Sequence, residues 1–221
     1  MQRPVAMLPA DRPRGCLFDL DGLLLDTEPL HSEAWTQAVA HFGSELPSPL
    51  LLRLRGRNRF DNAATVIEQL GLAVTVEQLL AVQQPLSRSL MARSRPIPGA
   101  GDLLERCRRA SIPTAIATSS SREAVRWKQS FHPWLDAVMV QVCGDDPEVG
   151  RGKPAPDLFL VAARRLGVEP GSCWAFEDSP AGAVAARAAG CRVFVLPPPG
   201  LGAADYPAEA VMLPDLAAVP L

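Results

Sequence analysis

Beyond Pro96 the chain alternates two rhythms, and that alternation restricts the possible folds more than any other feature. Four stretches with helical spacing, "GAGDLLERCRRA", "SREAVRWKQS", "PDLFLVAARRLG" and "PAGAVAARAAG", are separated or followed by the short apolar runs "IPTAIAT", "DAVMVQV", "SCWAFED" and "CRVFVLP". Strands that alternate with helices predict a parallel sheet covered on both faces, an α/β doubly wound, Rossmann-like arrangement. A fifth strand is expected at Gly15 to Leu20, which is apolar on both faces. With 48% apolar residues, the 221-residue chain can build a large core without disulfides or a structural metal.

Between these parts the pattern changes. The segments "HSEAWTQAVAHF", "FDNAATVIEQLG" and "TVEQLLAVQQPLSRSLMAR" have amphipathic helix spacing and contain no convincing strand. The expected division is a core of residues 1–28 and 96–221 with a helical insert at 29–95. Helix punctuation agrees: Ser120 with Glu123 fits a capping box, Ser179 with Pro180 an N-cap, and Gly167 and Gly190 helix ends.

Charge and cysteine use narrow the partners. A net charge of -2 with scattered basic residues gives no reason to expect nucleic acid. Five cysteines without a CxxC pair read as reduced, mostly buried thiols. The start, "MQRPVAMLPADRPR", lacks the apolar stretch of a signal peptide, and no later segment approaches membrane-spanning length. A cytoplasmic monomer acting on a small molecule, without membrane attachment, is expected.

In open α/β sheets ligands bind beyond the carboxyl ends of the strands. Those ends carry Asp19 and Asp21, then Thr118 and Ser119, then Lys153, then Glu177 with Asp178. Carboxylates crowded into one crevice repel each other and call for a cation, and an all-oxygen set suits Mg²⁺. Lys153 and the Thr118 hydroxyl would complete a cradle for a phosphate, and the Ser119 amide could add a donor. Each piece alone has an ordinary alternative: a DxD turn, a solvated lysine between Gly152 and Pro154, and "TSSS" as helix capping. Their recurrence at successive strand ends favours a shared site. Asp19 and Asp21 fall on one side of an extended strand end, whereas Asp26 is off that register and is expected to be structural.

The ordered motifs "FDLDG", "ATSS", "GKPAPD" and "FEDSPAG" resemble those of the haloacid dehalogenase-like (HAD) hydrolase superfamily, in its β-phosphoglucomutase-like branch with a helical cap. The resemblance implies that Asp19 is the nucleophile forming a phosphoaspartate and that Asp21 is the acid and then the base. It also implies that Thr118 holds the phosphoryl group and that Lys153 orients Asp19. Asp19, Asp178, Glu177 and the Asp21 backbone carbonyl would be the Mg²⁺ ligands. An intact Asp21 favours phosphate chemistry over dehalogenation, because a departing halide needs no proton. The stretches "GLLLDTE", "ATSSS" and "GDDPEVGRGKPAPDLF" are similar to pseudouridine-5'-phosphatase-like enzymes. By the same resemblance Thr27 and His31 lie at the cap hinge near substrate, His31 being open also to a solvent-facing role. Arg59, in a turn shared with Arg55 and Arg57, would grip a distal phosphate or be a solvated basic residue. Trp35 is expected in the cap core, and Asp145, Asp146 and Glu148 on an exposed acidic loop. The expected function is a Mg²⁺-dependent phosphatase of a small phosphorylated metabolite. A phosphomutase is the alternative, and a catalytically silent binding domain the minor one.

Overall fold

The computed structural model describes residues 12–221. The expectation about a signal peptide concerns mainly residues 1–11, which lie outside the described residues. In chain order the elements are β1 (Gly15–Phe18), β2 (Leu25–Asp26), α1 (Glu28–His41), α2 (Ser48–Leu54), α3 (Arg59–Leu70), α4 (Val76–Met91), β3 (Arg95–Pro96) and α5 (Ala100–Arg109). They continue as β4 (Thr114–Ala117), α6 (Arg122–Gln129), β5 (Val140–Val142), α7 (Asp157–Leu166), β6 (Cys173–Glu177), α8 (Pro180–Ala188), β7 (Arg192–Val195) and β8 (Val211–Met212).

The main sheet runs β5-β4-β1-β6-β7-β8, with every pairing parallel. From β1 the chain first builds outward on one side through β4 and β5, then crosses to β6 on the other, which makes the end of β1 a topological switch point. All four residues of β1 are buried. Cys16 and Phe18 face an apolar cluster with Leu103, Cys107 and Trp174, while Leu17 faces another with Phe159, Ala162 and Ala185. The period of two therefore sends alternate residues into two cores. Phe18 stacks on Phe176 at 4.8 Å, and Phe176 on Phe194 at 5.2 Å. All five cysteines are free and buried, as expected.

Helices α1 to α4 form their own cluster around Trp35, Val39, Leu50, Leu54, Val66 and Leu79. The chain enters and leaves this bundle through the antiparallel pair β2 and β3, in which Asp26 faces Arg95. Among the described residues no helix is long and apolar enough to cross a membrane.

Two local expectations change. The cap of α6 is Ser121, whose hydroxyl accepts from the Ala124 amide, so Ser120 is released for another role. The run "DAVMVQV" is strand only at Val140–Val142, because Pro133–Ala137 closes a 3₁₀ turn.

Candidate active site

Parallel register brings the ends of β1, β4 and β6 to one edge of the sheet. The Asp19 amide donates to Phe176 O at 3.0 Å, and the Thr118 amide to Val142 O at 3.0 Å, so both side chains leave the sheet at the same level. Asp19, Thr118, Lys153, Glu177 and Asp178 are all buried. The Lys153 ammonium bonds Asp19 Oδ1 and lies 2.5 Å from Glu177 Oε1. Glu177 Oε2 accepts from Ser179 Oγ at 3.0 Å. Thr118 Oγ1 accepts from the Ser120 amide at 3.1 Å.

Asp178 differs from these. Both of its carboxylate oxygens are buried without a hydrogen-bond partner, although Tyr206 Oη donates to its backbone carbonyl at 2.5 Å. Ligand atoms of Asp19, Glu177 and Asp178 all lie within 4.8 Å of one another. Gly22, at φ +90°, approaches the Asp178 carboxylate so closely that a Cβ there would overlap it. Burial, then Glu28, Glu177 and Asp19, raise the Asp178 pKa well above the ordinary carboxylate range. Burial also pushes Asp19 up to about 7, against the opposing pull of Lys153. Lys153 is raised, because its two carboxylates outweigh burial. Orphaned buried oxygens beside two more acids are what a divalent cation would satisfy, and an all-oxygen donor set fits a hard ion.

Asp21 is held separately. Its side chain lies outside that acid cluster and accepts from Thr27 Oγ1 at 2.7 Å, from Ser120 Oγ at 2.7 Å, and from Lys128 Nζ at 2.5 and 2.6 Å. His31 Nε2 stands 3.5 Å away. Burial would raise the Asp21 pKa, but Lys128 and His31 overcome it and hold the group well below the usual range. Reasoning from sequence missed Lys128. The available signal was its spacing, three residues after the buried Val125 on the inward face of α6, where an apolar residue is expected.

Over this edge lies a cavity of about 680 Å³, lined by Asp19, Asp21, Thr118 and Lys128 below and by His31 and Arg59 above. Ser119 Oγ donates to Gly56 O at 2.8 Å, which ties the sheet edge to the turn before α3. Of the three arginines, Arg55 pairs with Glu28 at 3.3 Å and Arg57 donates to Thr65 at 3.2 Å. Arg59 reaches Ser121 Oγ at 3.2 Å, and its Nε is buried without a partner. Thr27, His31, Ser119 and Arg59 are thus all brought to the site or its wall.

On the acidic loop Asp145 and Glu148 are exposed as expected, but Asp146 is not. The Asp146 side chain is fully buried between Arg122, at 3.0 Å, and Arg165, at 2.7 and 2.8 Å, while Asp145 accepts from the Arg122 amide at the start of α6. These acids fasten the loop carrying Lys153 to α6 and α7. Both arginines lie on helices, so composition of the loop alone could not reveal the pairing.

A family model described as haloacid dehalogenase-like hydrolase matches residues 13–190. A probable pseudouridine-5'-phosphatase of Drosophila melanogaster is 38% identical over 190 residues, covering 84% of this chain and 82% of that protein. (DL)-glycerol-3-phosphatase 2 of Arabidopsis thaliana is 36% identical over 191 residues, covering 84% and 80%. Among solved structures, CbbY from Rhodobacter sphaeroides in complex with phosphate superposes with a TM-score of 0.79 at 27% identity, covering 95% of this chain and 97% of that one. The chain belongs to the haloacid dehalogenase-like hydrolases. Within that class it is an enzyme of the phosphoric monoester hydrolase type.

Proposed function

We propose that this protein is a Mg²⁺-dependent phosphatase that removes phosphate from a small metabolite through a phosphoaspartate on Asp19. The observation that carries the reading is the orphaned Asp178 carboxylate, buried beside Asp19 and Glu177 with Lys153 between the latter two. Asp19, Asp178 and the Asp21 backbone carbonyl would hold Mg²⁺, with Glu177 a direct or water-mediated ligand. The ion would supply Lewis-acid neutralisation of phosphate charge.

In this reading Asp19 attacks phosphorus while Lys153 keeps its reacting oxygen turned toward the cavity. Asp21, ionised in the resting site, takes up a proton as the substrate displaces one of its donors, passes it to the departing oxygen, and then takes a proton from the water that cleaves the acyl phosphate. Thr118 and the Ser119 amide hold phosphoryl oxygens. Residues 29–95 act as a cap over the core of residues 1–28 and 96–221, with Thr27 and His31 at its hinge and Arg59 against the distal part of the substrate. Closure of such a cap excludes bulk water. The similarity to enzymes named for pseudouridine 5'-phosphate and glycerol 3-phosphate supports a small sugar, polyol or nucleoside phosphate as substrate.

The test is Asp19→Asn assayed on a panel that includes pseudouridine 5'-phosphate, fructose 1-phosphate, glycerol 3-phosphate and β-glucose 1-phosphate. Wild-type protein should release inorganic phosphate only with Mg²⁺ present, and the variant should be folded and inert. A fully active variant refutes the nucleophile. Conversion of β-glucose 1-phosphate to the 6-phosphate with a bisphosphate primer, without phosphate release, refutes hydrolysis in favour of a mutase.

A further inference from the structure

Each of the two aspartates at the end of β1 has its own lysine. Lys153 serves Asp19, and Lys128, from the second turn of α6, serves Asp21. Lys128 is 1% exposed, and its ammonium spends three contacts here: both oxygens of Asp21 and Ser120 Oγ at 2.9 Å. An ammonium buried this deeply without compensation costs several kcal/mol. An arrangement that puts one where an apolar residue would pack has a purpose to be found.

A carboxylate has about four lone-pair positions. On Asp21, Thr27 and Ser120 fill one each and Lys128 fills the other two. Hydroxyl donors rotate away readily, whereas a buried ammonium with two contacts does not leave. An incoming water or substrate oxygen therefore displaces a hydroxyl, and the ammonium keeps the carboxylate plane fixed. The Lys128 and Ser120 contacts come from α6 and the turn before it, on the core side, whereas Thr27 caps α1 and His31, on α1, stands 3.5 Å away.

We propose that Lys128 is a positioning residue that holds Asp21 in its proton-handling orientation from the core side and thereby commits the phosphoenzyme to hydrolysis. The inference rests on the phosphatase reading above. In the step concerned, a water oxygen bonds to phosphorus and the water proton passes to the Asp21 carboxylate. The bond from phosphorus to Asp19 Oδ breaks, its electron pair returns to the Asp19 carboxylate, and inorganic phosphate departs. A base oriented in advance allows this step as soon as the first product leaves.

The test compares Lys128→Met and Lys128→Gln with wild type by rapid quench, following ³²P on the protein, with p-nitrophenyl phosphate and with glycerol 3-phosphate. The aryl leaving group needs no proton, so phosphorylation of Asp19 by it should stay within about threefold of wild type. Decay of the phosphoenzyme should slow about thirtyfold or more, a share of the roughly 10²–10⁴-fold that acid and base catalysis supplies, and labelled protein should accumulate. With glycerol 3-phosphate both steps should slow. Unchanged decay overturns the proposal, and so does an equal loss in both steps with both substrates, which marks a merely structural role. If neither variant folds by circular dichroism, Ser120→Ala decides: a several-fold slower decay supports the clamp, and unchanged decay overturns it. Failure of the underlying reading is distinct, because then wild-type protein acquires no label and Asp19→Asn remains active.

Discussion

Gly182→Ala should destabilise this protein even though it replaces glycine by alanine inside a helix. Gly182 is the third residue of α8, and helix propensity alone credits the change with up to about 1 kcal/mol of added stability. An added Cβ, however, would fall well inside 3.0 Å of the Glu177 carboxylate. That carboxylate is 0% exposed and fixed on one oxygen by Lys153 at 2.5 Å and on the other by Ser179 at 3.0 Å. Overpacking costs roughly 1–3 kcal/mol, and breaking a buried ion pair roughly 3–5 kcal/mol when the partner charge stays behind. Partial relaxation leaves a net loss of about 2–4 kcal/mol. For a chain of this size roughly 2–4 °C accompanies each kcal/mol, so Tm should fall by about 5–15 °C, and turnover should drop with it as Lys153 loses its anchor. The matched control is Gly101→Ala in the first turn of α5, where nothing lies within 4 Å of the added carbon. It should raise Tm by about 2–4 °C for each kcal/mol gained. Thermal denaturation of both variants at one pH and Mg²⁺ concentration checks the pair. If Gly182→Ala melts at or above the wild-type temperature with normal activity, the crowding around Glu177 is not as described.

Two further outcomes are expected. Asp19 has a pKa raised from 3.8 to about 7, so its contribution to stability without metal is complete below the ordinary value and lost as pH rises through about 7. Asp178 shifts in the same direction. Metal-free protein should therefore lose Tm between about pH 5 and 8, and Mg²⁺, which competes with these protons, should stabilise it far more at the upper end. A Mg²⁺ increment in Tm that is the same at both ends contradicts this linkage. Asp146→Ala removes the buried partner of Arg165 and Arg122, and should cost about 2–3 kcal/mol, discounted because both arginines are partly exposed. It should also lower kcat more than it raises KM, since the loop it anchors carries Lys153; a pure stability loss with unaltered kcat would show that the loop holds its shape without it.

Much of this architecture was legible because the strands are apolar on both sides and end abruptly in polar residues. Gly15–Phe18 and Cys173–Glu177 stop where Asp19 and Asp178 begin, and a parallel sheet brings such ends together. Helices α1, α3 and α4 were legible from period alone, whereas the seven-residue α2 (Ser48–Leu54), too short to display a period, was not. What escaped were features that depend on tertiary partners. β2 and β3 are two residues each and pair only because the bundle of α1 to α4 starts and ends at the same place. β8 is an edge pair of Val211 and Met212 beside β7. Lys128 and Asp146 are charged residues that sequence reasoning assigns to solvent, and each is buried by a partner far away in the chain.

The central place of β1 also has a consequence for biosynthesis. Of the described strands it leaves the ribosome first, yet Cys16 pairs with Thr114 on one side and Gly15 with Cys173 on the other. The strand that presents Asp19 must therefore wait, apolar and unpaired, until β4 has been made, and its other edge stays open until β6 follows. Long-range parallel pairing of this sort is slow and exposes sticky edges during folding. The strand β1 is thus also a segment whose exposure on a nascent chain invites chaperone binding.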